Sequence, residues 1–119
     1  MRNSRPASDK DTIFAVSSGA GPAGVAVIRI SGSNAGRAFV LIGSGHVPVE
    51  RRAAVRTLFD KSNGNRIDEA LVLWFVGPRS YTGEDLLELQ VHGGRAVTLA
   101  VLAALARLPR FRPAEPGEF

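Results

Sequence analysis

The sequence contains no cysteine, and this absence excludes several kinds of site at once. The chain forms no disulfide, offers no thiol nucleophile and has no cysteine ligand for a metal. No apolar run reaches the roughly 18 residues that a membrane-spanning helix needs, so we expect no membrane association. The first eleven residues, MRNSRPASDKD, are polar and lack the apolar segment of a signal peptide. We therefore expect a cytoplasmic protein in which residues 1–10 form a flexible tail.

Motifs that mark common catalytic and nucleotide-binding sites are also absent. The sequence has no GxxxxGK(S/T) phosphate-binding loop, no GxGxxG between a strand and a helix, no HxxxH pair and no GxSxG turn. Ser31 has no evident base beside it, and His46 is isolated. We therefore expect neither catalytic residues nor a metal site in this chain, only candidates for binding.

Acidic side chains are outnumbered, 11 against 15 lysines and arginines, which leaves a net charge of +4. A basic balance favours anionic partners such as RNA or a polyanionic small molecule. Several arginines are clustered, at 2–5, 51–56 and 107–112. Only one aromatic residue, Phe111, lies among these arginines, so a stacking platform for single-stranded nucleic acid is not indicated. A solvated basic surface explains the same clusters, and both interpretations stay open.

Hydrophobic periodicity predicts one α+β domain. Strands are predicted at 12–17, 24–30, 53–59, 68–76 and 86–92, and helices at 34–42 and 95–108. Ser33 is expected to cap the first helix, Asn63-Gly64 to form a hairpin turn and Pro109 to end the second helix. This order predicts a mixed β-sheet with the helices packed on one side.

The stretch from Trp74 to Gly94, WFVGPRSYTGEDLLELQVHGG, is the most informative part of the chain. Its apolar ends predict strands, and its middle, residues 77–85, predicts a shaped loop that lines a pocket. Tyr81 offers a stacking surface there, and its neighbours Thr82 and Gly83 are weaker binding candidates. A second loop of shape-demanding residues, 21–24, is equally well explained as a plain turn.

Two charged residues lie inside predicted strands. Arg29 shares one strand face with Val25, Val27 and Ser31, while the apolar residues between them form the expected core face. Such an arginine either extends its charged end to solvent or is presented to a carboxylate or phosphate, which the guanidinium binds bidentately.

Glu88 raises the same question, because it forms a polar stripe with Gln90 and His92 on one face of its strand. The stripe is either a solvent-facing strand or the wall of a cleft. In a cleft, a carboxylate accepts two N–H bonds from an amidine or guanidine edge. Gly93 and Gly94 lead into the second helix, whose first N–H groups favour an anion.

Three segments together resemble the N-terminal domain of the bacterial tRNA modification GTPases of the MnmE (TrmE) family. They are DTIFAVSSGAGPAGVAVIRISG, ALVLWFVGPRSYTGEDLLELQVHGG and the terminal RPAEPGEF. The resemblance extends over residues 11–119 and is weakest between 35 and 66. It implies a fold like the tetrahydrofolate-binding domains of the glycine cleavage T-protein type. It also implies homodimerisation and binding of a tetrahydrofolate derivative, 5-formyl- or 5,10-methylene-tetrahydrofolate.

The resemblance also implies roles for individual residues. Arg29 in VIRISG and Glu88 in EDLLELQ match the family's folate-contacting arginine and glutamate. The family also uses a lysine shortly after PGEF, whereas this sequence stops at Phe119, as expected of a fragment cut at a boundary. Ala114-Glu115 replace the family's more usual small-residue–arginine pair before that motif.

Full-length members of the family carry a helical domain and a GTPase domain that uses GTP, Mg²⁺ and K⁺. With the flavoprotein MnmG (GidA) they modify C5 of the wobble uridine of tRNA. This chain lacks the GTPase motifs and the family's catalytic cysteine, so we expect it to be inactive alone. Two alternatives remain: a module that only dimerises, and direct RNA binding through the arginine clusters.

Overall fold

A six-stranded sheet and two helices make up the computed structural model, which describes residues 11–16, 25–92 and 94–119. The predicted tail at 1–10, the loop at 21–24 and Gly93 lie outside the described residues. The elements in chain order are β1 (Thr12–Val16), β2 (Ala26–Ser31), α1 (Ala35–Ile42), β3 (Ala54–Asp60), β4 (Asn65–Phe75), β5 (Leu86–Val91), α2 (Gly94–Ala106) and β6 (Phe111–Pro113).

The strands are arranged in the order β3-β4-β5-β2-β1-β6. All neighbours are antiparallel except β1 and β6, which are parallel, so the sheet is mixed as predicted. The hairpin between β3 and β4 turns at the predicted Asn63-Gly64, where Gly64 has a φ of 75° that favours glycine. Within the described residues, no helix is long and apolar enough to cross a membrane.

One face of the sheet is buried under both helices. Alternate residues of the two central strands, among them Ile28, Ile30, Leu87 and Leu89, are fully buried there. They form one apolar cluster with Phe39 of α1 and with Val101 and Leu105 of α2. Burying each of these side chains contributes about 1.5–3 kcal/mol, so this face dominates folding. The predicted α+β class, with helices on one side, is confirmed.

The opposite face of the sheet has no helix of the described chain packed on it. The residues that alternate with the core are only partly buried there, including Val27, Arg29, Glu88 and Gln90. Polar and charged side chains in the middle of these strands therefore reach solvent on the face opposite the core. This helix-free face is where the two central strands present their charged residues, Arg29 and Glu88.

The structure differs from the sequence prediction in two local features. Strand β6 was not predicted, because three residues that include a proline carry no readable alternation. It is held by tertiary bonds instead, for example from the Thr12 amide to the Arg110 carbonyl at 2.9 Å. Ser33 does not cap α1: the helix begins after Asn34, which makes no side-chain cap bond. The Asn34 amide donates to Oγ1 of buried Thr12 at 3.2 Å.

We expect Thr12→Val to lower the free energy of unfolding by about 0.5–2 kcal/mol, the usual cost of losing a helix cap. The substitution keeps the shape of the side chain but removes the oxygen that the Asn34 amide bonds. Chemical denaturation measures the loss. Thr57→Val makes the same change on β3, away from the helix start. Equal losses in both variants would show that the Thr12 hydroxyl does not support α1.

Candidate functional site

A cleft of about 250 Å³ opens on the helix-free face of the sheet. It lies where β2 and β5 meet the loop of residues 77–85. Eight residues from separate parts of the chain line it: Arg29, Arg51, Phe75, Arg79, Ser80, Tyr81, Leu86 and Glu88. Three of them, Arg29, Tyr81 and Glu88, are candidates that the sequence singled out.

An ion pair between Arg29 and Glu88 crosses two neighbouring strands at the cleft. The antiparallel register of β2 and β5 places these residues directly opposite each other. Nε of Arg29 donates to Oε1 of Glu88 at 3.2 Å, and the side chains are 33% and 13% exposed. Nε2 of Gln90 donates to Oε2 of Glu88 at 3.1 Å. A carboxylate has about four acceptor positions, so Glu88 retains capacity for a ligand.

The ring of Tyr81 extends the site outward. The guanidinium carbon of Arg29 lies 5.2 Å from the centroid of this ring, within the range of a cation–π contact. Arg29 is therefore held by a carboxylate and an aromatic ring together. Tyr81 itself is 72% exposed, so much of its surface is available to a planar ligand.

Hydrogen bonds give the loop of residues 77–85 its shape. The Gly77 amide donates to Oδ1 of Asp85 at 3.0 Å, and the Gly83 amide to the Ser80 carbonyl at 3.2 Å. The buried hydroxyl of Ser31 donates to Oε1 of Glu84 at 3.2 Å. Ser31 thus ties the loop to the end of β2, two residues from Arg29. This bracing positions Ser80 and Tyr81 against the sheet.

Ser31 also forms a 2.7 Å bond with the hydroxyl of Thr82. Thr82, a weaker sequence candidate, thus braces the loop and does not line the cleft. Gly83 adopts a φ of 82°, a conformation that glycine takes at little cost. The structural contribution of these two residues is the loop's shape.

Two further arginines, Arg51 and Arg79, line the cleft. Arg79 belongs to the loop of residues 77–85 that was predicted to line a pocket, whereas Arg51 was not identified from the sequence as a site residue. Arg51 follows α1 in a segment without clear periodicity, and its guanidinium carbon lies 5.4 Å from the ring centroid of Phe75. Its Nη2 donates to the backbone carbonyl of Arg79. Only the presence of Arg51 in a basic cluster hinted at this position.

The remaining candidates lie around the cleft or away from it. Gln90 does not line the cleft but donates a hydrogen bond to Glu88, which does. His92 is directed toward the start of β4: its amide donates to Oδ2 of Asp68 at 2.6 Å, and its Nδ1 is 3.3 Å from the Glu69 carbonyl. Gly94 is the first residue of α2 and has a φ of 74°. The structure therefore does not bring His92 into the cleft with Arg29 and Glu88.

The balance of charge in the cleft defines the ligands that fit it. Three guanidinium groups and one carboxylate line the cavity. Glu88 suits a group that presents N–H donors, whereas the arginines suit carboxylate, phosphate or carbonyl oxygens. With the exposed Tyr81 ring, the arrangement favours a planar ligand that carries N–H donors and anionic groups.

Comparison with known proteins shows close relatives over nearly the whole chain. Residues 12–119 match the family described as GTP-binding protein TrmE N-terminus. The tRNA modification GTPase MnmE of Rhizorhabdus wittichii is 59% identical over 120 positions, which cover 100% of this chain and 27% of that protein. MnmE of Zymomonas mobilis is 56% identical over 108 residues, 91% of this chain and 25% of that protein.

A human relative is similar to the same extent. The 5-taurinomethyluridine-[tRNA] synthase subunit GTPB3, mitochondrial, is 53% identical over 109 residues, which cover 91% of this chain and 22% of that protein. The chain thus spans about a quarter of the length of the curated relatives that it matches.

Proposed function

Because the chain belongs to the family of TrmE N-terminal domains, we propose that it binds a tetrahydrofolate derivative and forms a homodimer. The ligand is 5-formyl- or 5,10-methylene-tetrahydrofolate. The observation that carries the proposal is the Arg29–Glu88 pair, which lies with the exposed ring of Tyr81 in one cleft.

The chemistry of a reduced pterin fits these groups. One edge of its ring system presents neighbouring N–H donors, which a carboxylate accepts in pairs, and Glu88 offers acceptor positions there. The Arg29 guanidinium suits an oxygen of the ligand, and Tyr81 offers a surface for stacking. The Glu88 side chain is only 13% exposed, so hydrogen bonds from a ligand to its carboxylate would be well shielded from water.

The size of the cleft supports a site that is completed by a second copy. A pocket that encloses a drug-sized ligand measures about 300–1,000 Å³, and this cleft measures about 250 Å³. It accommodates the ring system and leaves the rest of the ligand at the surface. Val27, Leu71 and Leu73 flank Arg29 and Glu88 on the same partly exposed face. We place the partner subunit on this apolar surface.

In the longer protein, the domain serves a larger enzyme. Its relatives are named tRNA modification GTPases, and this chain corresponds to about a quarter of their length. The complete protein would bind GTP with Mg²⁺ and K⁺, act with the flavoprotein MnmG and tRNA in the cytoplasm, and modify C5 of the wobble uridine. The folate would supply the one-carbon unit, which leaves the present domain the task of holding the donor.

Calorimetric titration with 5-formyltetrahydrofolate tests the proposal. We expect the unmutated protein to bind and Glu88→Ala to lose at least about tenfold in affinity. A bond to a charged group contributes about 1.5–3 kcal/mol, and about 1.4 kcal/mol corresponds to tenfold. Glu88→Gln should also bind weakly, because an amide cannot accept two N–H bonds with both of its polar atoms.

Glu69→Ala is the matched control, since it removes a carboxylate from β4 that does not line the cleft. If the unmutated chain binds no folate yet sediments as a tight dimer, the domain is an assembly module and the folate proposal is wrong. Equal losses in the Glu69 and Glu88 variants would show that net charge, and not the cleft, governs binding. A steep salt dependence of tRNA affinity for this domain alone would favour the RNA-binding alternative.

A further inference from the structure

The cleft holds more positive charge than its one carboxylate can balance. Arg29 is paired with Glu88, but Arg51 and Arg79 line the same cavity with no second carboxylate in its lining. The carboxylate of Glu50 lies outside the lining, 3.7 Å from Nε of Arg51, and accepts the Val76 amide at 3.0 Å. Within the described part of the chain, the Arg79 guanidinium has no hydrogen bond or ion pair.

Arg51 and Arg79 lie close together at the exposed edge of the cleft, which is called the rim below. The Arg51 guanidinium lies against the Phe75 ring and donates to the Arg79 carbonyl, while its own amide donates to the Trp74 carbonyl at 2.8 Å. Arg79 belongs to the braced loop, so its backbone has a defined place beside the cavity. A guanidinium that is already stacked and tethered loses less conformational entropy when it binds an anion.

We propose that Arg51 and Arg79 form a carboxylate-binding subsite that takes the glutamate tail of the folate, an inference that rests on the folate-binding function proposed above. The cleft is too small to enclose the whole ligand, so the tail leaves the cavity past its rim. The tail carries carboxylates, and the planar fork of a guanidinium binds carboxylates bidentately. The rim arginines thereby select a ligand with an anionic tail, whereas Glu88 and Arg29 select its ring.

Binding at the rim can be distinguished from binding in the rest of the site with two ligands. They are 5-formyltetrahydrofolate and its analogue without glutamate, 5-formyltetrahydropteroate. Calorimetry gives Kd for each with the unmutated protein, Arg51→Gln, Arg79→Gln and the double variant. We expect each single variant to lose about three- to fivefold and the double variant about tenfold or more for the tailed ligand, as befits partly exposed charge pairs. Affinity for the tailless ligand should not change.

Arg37→Gln is the matched control, because it removes the same charge from α1, on the helix-covered side of the sheet. Retained affinity for the tailless ligand in the double variant shows that the cleft and the loop are intact. The inference is overturned if the unmutated protein binds both ligands equally, or if the double variant weakens both by the same factor. In either case folate binding itself stands. Failure of both ligands to bind the unmutated protein would overturn the proposed function and this inference together.

Discussion

Leu89→Ala is expected to lower the free energy of unfolding by about 2–5 kcal/mol, the range for truncating a buried leucine. Leu89 is fully buried in the middle of β5, and its neighbours across the sheet, Ile28 and Val72, are fully buried as well. The cavity that the truncated side chain leaves is therefore flanked on both sides by strands that cannot collapse into it. Against a typical total stability of about 5–15 kcal/mol, urea denaturation will detect such a loss readily.

Val55→Ala serves as the control for the loss of apolar atoms. Val55 is 58% exposed on β3, and its truncation should change the stability by no more than about 0.5 kcal/mol. Similar small losses in both variants would mean that the core does not lie on the Leu89 face. Without denaturant, the folded fraction of the Leu89→Ala variant should retain its folate affinity, because the side chain of residue 89 points away from the cleft.

The neighbouring residues Glu88 and Leu89 show why part of the site was predictable from sequence. Adjacent side chains of a strand point to opposite faces, so the alternation in LLELQV separates a core residue, Leu89, from a candidate binding residue, Glu88. The same argument applied to Arg29. Alternation places each residue on a face but gives no strand order; only the antiparallel pairing of β2 with β5 places Arg29 opposite Glu88.

The features that could not be predicted depend on contacts between distant segments. Arg51 reaches the cleft because the segment after α1 passes the C-terminal end of β4, where the Arg51 amide bonds the Trp74 carbonyl, and the loop of residues 77–85. The oxygen that accepts a bond at the start of α1 belongs to Thr12 and not to the predicted Ser33, because β1 passes that end of the helix. Strand β6 pairs with β1 across nearly the entire chain length. None of these contacts leaves a periodic pattern in the sequence, since each is fixed by how the sheet is assembled.

Gly77→Ala is expected to lower folate affinity at least about tenfold and the free energy of unfolding by about 1–3 kcal/mol, as overpacking commonly does. A Cβ atom at residue 77 would lie 2.8 Å from the Gly83 carbonyl oxygen and 2.8 Å from the Glu84 carbonyl carbon. Both are backbone atoms, so no side-chain rotation relieves the contact and the loop must shift. The same loop carries Ser80, Tyr81 and Arg79 into the cleft, which connects this steric conflict to binding.

Gly64→Ala separates the steric effect from the general cost of replacing glycine. Gly64 has a φ of 75° in the hairpin turn, and a Cβ there would meet no atom within 4 Å. The variant should lose about 1 kcal/mol of stability through backbone strain and bind folate with unchanged affinity. Calorimetry and urea denaturation on both variants measure the two effects independently. Unchanged affinity in Gly77→Ala would mean that the ligand does not depend on the loop's shape, and binding would then rest on Arg29 and Glu88 alone.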